Sequence, residues 1–179
     1  MPMDQDRNSN EMNARSSVDM MLRSMQMHHV HLSSMADQKA SILIGAEAVV
    51  LTLIFRYLQE GQASIWLLAL GVTILFSAAS ALLAVMPTYK KKTGARPNWL
   101  FFSSFAPLST DEYFAKMNEI ISTDTGVYEA IFNDVQQLGR VLYRKKYRFL
   151  GYSYRILLIG LIITFCIVAA EWVMKAGAV

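Results

Sequence analysis

Asp37, Lys39 and Glu47 fall within eleven residues of the stretch MADQKASILIGAEAVV, residues 35–50, where a long apolar run begins. A second charged group, Arg144, Lys145, Lys146 and Arg148, stands in RKKYRFLGYSYRI just before another apolar run. Carboxylate beside cation at a boundary of this kind suits charge recognition, and arginine offers paired donors to a phosphate. Two readings of residues 36–41 stay open. In one, Ser34 caps a helix, Asp37 favours its positive end and Lys39 lies among lipid headgroups. In the other, Asp37 and Lys39 meet the basic helix 140–148 as a polar site at the membrane face.

Glu47 is a separate problem. A charged side chain in the middle of a span costs roughly 2.5–3.5 kcal/mol on insertion scales, so an acid there is a functional candidate. The competing expectation is a hydrogen bond to Thr52, Ser77 or Ser80 on its own or a neighbouring helix. His28, His29 and His31 (HHVH) lack a carboxylate or cysteine cluster and do not form H-E-x-x-H, so packed or solvated helix positions are expected and no metal site. Cys166 is the single cysteine and lies in an apolar run, which leaves no disulfide framework. No glycine-rich phosphate loop, catalytic triad or paired carboxylates are present. The sequence therefore gives no catalytic residues, no cofactor and no reason to expect an enzyme.

The elements that hold these residues are those of a membrane protein. The chain of 179 residues is 54% hydrophobic and 17% charged, against roughly 25% charged for a soluble domain. Ala63 to Met86 is an uncharged run of 24 residues, about 36 Å long as a helix and enough to cross a bilayer. Pro87 ends it. Residues 41–58 form a shorter span, with Arg56 snorkelling outward, and a third covers 152–173 between Tyr152 and Trp172. The fold class expected is all-α with three transmembrane helices, about 41–58, 63–86 and 152–173, and a cytoplasmic helical bundle. The small residues Ala69, Thr73, Ser77 and Ala81, four apart, provide a close-contact face on the second span. It serves either the hairpin or an oligomer seam.

Ten lysines and arginines lie between spans two and three: Lys90, Lys91, Lys92, Arg96, Lys116, Arg140, Arg144, Lys145, Lys146 and Arg148. The positive-inside rule places that segment, and with three spans the N-terminus, in the cytoplasm. The first 35 residues lack the pattern of a cleaved signal peptide. The organisation is then 1–39, a cytoplasmic tail and amphipathic helix; 40–86, a transmembrane hairpin; 87–149, a cytoplasmic helical segment; and 150–179, the third span with a short external tail. Apolar positions at Val18, Met21, Leu22, Met25, His29 and Leu32 predict a helix over 17–34, started by Ser16 with Asp19 and able to run on into the first span. Ser109 with Glu112 predicts the start of a helix reaching about Ser122. After STDTG a longer helix is expected over 127–149, its apolar face carrying Tyr128, Ile131, Phe132, Val135, Leu138 and Leu142. The basic run at its end reads as a topology anchor and phospholipid contact, or a cradle for a small phosphorylated ligand, rather than a nucleic-acid surface.

ADQKAS at the first span, Pro87 after the second, NWLFFSSF (98–105), LSTDEYF (108–114) and RKKYRFLGYSYRI (144–156) occur in an order that resembles the Pycsar effector transmembrane family. The resemblance spans about residues 30–172. It implies a multi-pass bacterial inner-membrane protein, not an enzyme, acting in antiphage defence. There a partner pyrimidine cyclase makes cyclic CMP or cyclic UMP, and the effector impairs the membrane so that the cell dies before phage are released. No separate cyclic-nucleotide-binding β-domain is evident, so a nucleotide would bind the helical part, between the N-terminal helix and the 110–149 helices. Asp37, Lys39, Arg144, Lys145 and Arg148 are the ligand residues expected on that reading, with cations on phosphate and Asp37 on a ribose or base donor. Membrane lipids and further copies in a homo-oligomer are the other expected partners. A small transporter or channel subunit using Glu47 for ion coupling, or a structural subunit that docks a partner, are the readings from other classes.

Overall fold

The computed structural model describes residues 2–87 and 97–177, with side chains from Arg15 onward. Lys90, Lys91, Lys92 and Arg96, counted above for orientation, lie outside the described residues. Six α-helices occur in the order α1 Pro2–Gln59, α2 Ile65–Val85, α3 Phe102–Phe105, α4 Thr110–Ile121, α5 Asp124–Val141 and α6 Arg148–Ala176. A π-helical turn, Leu142–Tyr147, joins α5 to α6. Among the described residues there is no strand. Three helical stretches are long and apolar enough to cross a membrane, within α1, α2 and the run ending in α6.

Pro2 is the last proline before Pro87, so nothing of that kind interrupts α1. It passes straight through both local start signals. Ser16 with Asp19 and Ser34 are interior positions of α1, not caps, because their backbone N–H groups already bond within the helix. The helix stops at Gly61, whose φ of 75° takes the left-handed conformation open to glycine. Gly61 N–H reaches the Leu58 carbonyl at 3.2 Å and Gln62 N–H the Tyr57 carbonyl at 3.1 Å, a Schellman closure that satisfies two terminal carbonyls. α2 follows after five residues and ends ahead of Pro87.

The helices group into two compact units. One combines α1 up to Leu32 with α3, α4, α5 and Leu142. Its Ser109 cap forms as expected: the Ser109 hydroxyl accepts from Glu112 N–H and the Glu112 carboxylate accepts from Ser109 N–H. The long helix expected over 127–149 instead starts at Asp124, capped by Thr123, and leads through the π-turn into α6. Leu22 and Val135 are buried apolar positions of this unit, whereas Phe132 of the expected apolar face is more than half exposed.

The other unit holds residues 33–87 and everything from Tyr143. Ile54, Leu67 and Ile74 pack the hairpin between α1 and α2, with Leu157 of α6 against them. Ala36, Ala40, Ala84 and Leu150 close the three helices at the other end. Outward-facing side chains such as Leu68, Leu75, Phe76, Ile159, Ile162 and Phe165 are exposed, as a surface solvated by lipid requires. The small-residue face of α2 has its partner inside the chain: it packs on α6. An added Cβ at Gly160 would lie 2.0 Å from the Thr73 methyl, so glycine is what lets the two helices approach there.

Candidate functional site

The basic turn before α6 is fastened to the other two helices of its unit. Lys146 Nζ lies 2.5 Å from Asp37 Oδ2 and donates to Ser33 Oγ at 2.7 Å, tying the turn to α1. Lys145 donates to the Met86 carbonyl at the end of α2. That helix end has four carbonyls without intrahelical partners, and a cation suits its negative pole. Burial, followed by the neighbouring charge of Lys146, holds the Lys145 ammonium below the usual lysine range.

The five expected ligand residues are thereby distributed over four settings. Asp37 meets Lys146, Lys145 meets the end of α2, and Lys39 is exposed and outside the Asp37–Lys146 pair. Arg144 and Arg148 are brought together, on a groove of about 650 Å³ with Tyr143, Tyr147, Tyr152 and Arg155. Spacings of three and four set these side chains on one stripe of the helix. Arg148 Nε donates to Tyr152 Oη at 2.9 Å, and its guanidinium lies 5.6 Å from the same ring's centre. The groove thus joins guanidinium donors to aromatic faces, a pairing that suits a phosphate next to a planar base. Tyr143, Tyr147 and Arg155 have no role in the sequence reading, and Tyr152 enters it only as an interfacial anchor of the third span. Their signal was the Tyr/Arg alternation at helical spacing in YRKKYRFLGYSYR.

Deeper in the same unit lies a polar core. Ser77 Oγ donates to the Ser153 carbonyl at 3.0 Å and Ser153 Oγ donates to the Ser77 carbonyl at 2.9 Å. Ser80 donates to the Phe149 carbonyl at 2.9 Å. Glu47 is 3% exposed, and neither carboxylate oxygen has a hydrogen-bond partner. The expected bond to Thr52, Ser77 or Ser80 does not form. Thr52 turns back to the Ala48 carbonyl, and both serines are committed to α6. The Ser77 hydroxyl nevertheless lies close enough to Glu47 to act on it.

In the first unit, Asp134 is buried and accepts from Gln26 Nε2 at 2.7 Å and from Asn98 Nδ2 at 2.8 Å. This carboxylate pins the NWLFF segment and α1 to α5. Beside it is a cleft of about 550 Å³, with Ser16, Asp19, Arg23 and Gln26 over Leu22, Val127 and Ile131. Tyr128 Oη donates to Asp19 at 2.9 Å, and that bond holds the phenol proton and raises its pKa. His29 Nδ1 donates to the Met25 carbonyl at 2.7 Å, and the ring packs at Gly139. Among the described residues no three His, Cys, Asp or Glu side chains gather as a metal site would need.

The Pycsar effector protein domain matches residues 20–173, which covers the three spans, the basic turn, the groove and the Asp134 network. No curated protein and no solved structure matches the chain. The match takes in far more than half of the sequence and agrees with the three apolar helices; the chain belongs to the Pycsar effector family and is a membrane effector of Pycsar antiphage defence.

Proposed function

We propose that this effector binds cyclic CMP or cyclic UMP from a partner pyrimidine cyclase and responds by impairing the bacterial inner membrane, killing the infected cell. The N-terminus and the segment between α2 and α6 face the cytoplasm, where the nucleotide is made. The observation that carries this reading is the family match running unbroken from residue 20 through the third span.

The ligand is held at the groove of Arg144 and Arg148. The two guanidiniums take the cyclic phosphate, and Tyr143, Tyr147 or Tyr152 provides a face for the pyrimidine. Asp37, Lys39 and Lys145 are not among the residues that line this groove. What supports the groove as the receptor is its place in the chain: its lining residues belong to the turn and first residues of α6, the helix that continues as a span. A ligand there acts directly on the packing of α6 against α2. It shifts the spans only to the extent that it binds the rearranged state more tightly. Several copies acting together in the membrane are the natural form of such a lesion.

Calorimetry on the purified protein in lipid nanodiscs, with each nucleotide in turn, is the test. Wild type binds one of the two, and Arg144→Ala with Arg148→Ala weakens that binding by at least about tenfold, the loss of one to two charge-assisted contacts. Arg23→Ala, in the cleft of the first unit, leaves it unchanged. Loss of binding in Arg23→Ala alone would move the receptor to that cleft. Failure of wild type to bind either nucleotide, together with an unaltered membrane potential in cells supplied with them, overturns the reading.

A further inference from the structure

Glu47 stands in an unusual setting. It is 97% buried by its 3% exposure, and both of its oxygens lack a hydrogen-bond donor. The nearby Ser77 hydroxyl is turned toward α6. Ser77 and Ser153 give their hydroxyl protons to each other's backbone carbonyls, and the two Oγ atoms lie 2.9 Å apart. The two hydroxyls have two protons to share among these three contacts, so the seam oxygens keep lone pairs free. The Glu47 carboxylate is thus buried in the span without a hydrogen-bond donor, and it has no ion pair among the described side chains.

Among the described residues no side chain supplies a compensating charge. α2 contains no Asp, Glu, Lys, Arg or His at all. On α6 the charged residue nearest in sequence to Ser153 is Arg155, which is exposed, and Glu171 and Lys175 lie at the far end. On α1, Asp37 is paired with Lys146, Lys39 is exposed, and Arg56 pairs with Glu60 beyond the span. A buried carboxylate left in this state is strongly unfavourable.

We propose that Glu47 is an intramembrane cation-binding position, where a single positive charge, a proton or a sodium ion, is taken up by the carboxylate beside the Ser77 hydroxyl. Hard oxygen donors suit either cation. The site is independent of the nucleotide: it belongs to the packing of α1 on the α2–α6 pair. Release of the cation re-exposes the charge and loosens that packing.

Infrared difference spectroscopy on the full-length protein in nanodiscs tests this without any nucleotide. Spectra are taken across pH, in sodium and in choline buffers, for wild type and Glu47→Gln. A carboxylic-acid carbonyl band that titrates with pH and is missing in Glu47→Gln identifies a proton. A carboxylate band that shifts on exchanging choline for sodium, and is missing in Glu47→Gln, identifies sodium. Ser77→Ala keeps the carboxylate and moves the titration or saturation midpoint, which preserves the test if Glu47→Gln does not fold. A Glu47 signal insensitive to both pH and sodium overturns the proposal, whether or not the protein binds a cyclic nucleotide.

Discussion

Ser77 and Ser153 exchange hydroxyl-to-carbonyl hydrogen bonds across the α2–α6 seam, at 3.0 and 2.9 Å, and both residues are fully buried. Each hydroxyl thus satisfies itself and adds an acceptor load to a carbonyl already bonded in its helix, so the pair links two helices without opening either. Interhelical bonds of this kind in membranes are worth about 0.6 kcal/mol on average and up to about 1.7. Ser77→Ala and Ser153→Ala are each expected to lower stability by about that amount. The double variant should lose less than the sum, because the two bonds share a geometry. Thermal unfolding of the four proteins in one detergent measures the coupling, and strict additivity would show that the two bonds act independently.

Gly160 faces Thr73 with no room for a side chain. A Cβ there would meet Thr73 Cγ2 at 2.0 Å, Oγ1 at 2.3 Å and Cβ at 2.6 Å. Rotating the threonine cannot relieve the last of these, so Gly160→Ala must push α6 away from α2. The expected cost is about 1–3 kcal/mol, the range for overpacking a close contact. Thr73→Gly in the same chain should recover most of it. Unfolding midpoints of the single and double variants check the result, and a neutral Gly160→Ala would mean that the helices do not approach so closely.

The parts of this architecture that were legible in the sequence are those set by local chemistry. The uncharged run before Pro87 dictated α2, and Ser109 with Glu112 dictated the start of α4. The same kind of signal misled at Ser16 and Ser34, because a cap residue permits a helix to begin but does not force one when the preceding residues are themselves helical. The site was less legible. The basic run was visible, but not that Lys146, rather than Arg144 or Arg148, meets Asp37. The π-turn over 142–147 widens the helical repeat and shifts every later side chain around the axis. Asp134 was passed over for a simpler reason. Its partners Gln26 and Asn98 are 108 and 36 residues away, and no short pattern connects them.

Asp134 is the hub of the first unit, and its loss should be felt well beyond α5. Asp134→Ala leaves the buried Asn98 amide and the partly buried Gln26 amide without their acceptor. Each buried donor left unsatisfied costs about 1–3 kcal/mol. Amide exchange in the 97–105 segment should accelerate, while exchange in α2 is unaffected. Asp134→Asn, which keeps one carbonyl acceptor, should fall between. Unchanged exchange around Asn98 in Asp134→Ala would show that the aromatic segment is held by packing alone.

Lys145 gives a pH signature. Its ammonium is held below the ordinary lysine pKa by burial and by Lys146. In the unfolded chain the group titrates near 10.5. Between its folded pKa and that value the unfolded state carries more protons, so stability rises with pH across the window. Below the folded pKa the full cost of the buried charge is present. Wild type should therefore gain stability relative to Lys145→Met as pH rises towards 10.5, as read from unfolding midpoints at alkaline pH. A difference between the two proteins that is flat with pH would remove the burial argument.

Asp37 and Lys146 form the contact that sets the register of the basic turn against α1, and a charge exchange separates that role from simple surface attraction. The Lys146 side chain is 18% exposed and that of Asp37 is 45% exposed. The pair is half in water, and its direct contribution to stability is within about 1 kcal/mol. Lys146→Asp places two carboxylates together and also removes the donor to Ser33 Oγ. It should destabilise by more than the pair is worth and displace Arg144 and Arg148 from their common stripe. The double variant Asp37→Lys with Lys146→Asp restores opposite charges in reversed order, but leaves Ser33 without its ammonium partner. Partial recovery of the unfolding midpoint is therefore expected, with Ser33 accounting for the shortfall. If Lys146→Asp and the exchanged pair are equally destabilised, the ammonium–Ser33 bond, not the ion pair, fixes the turn on α1.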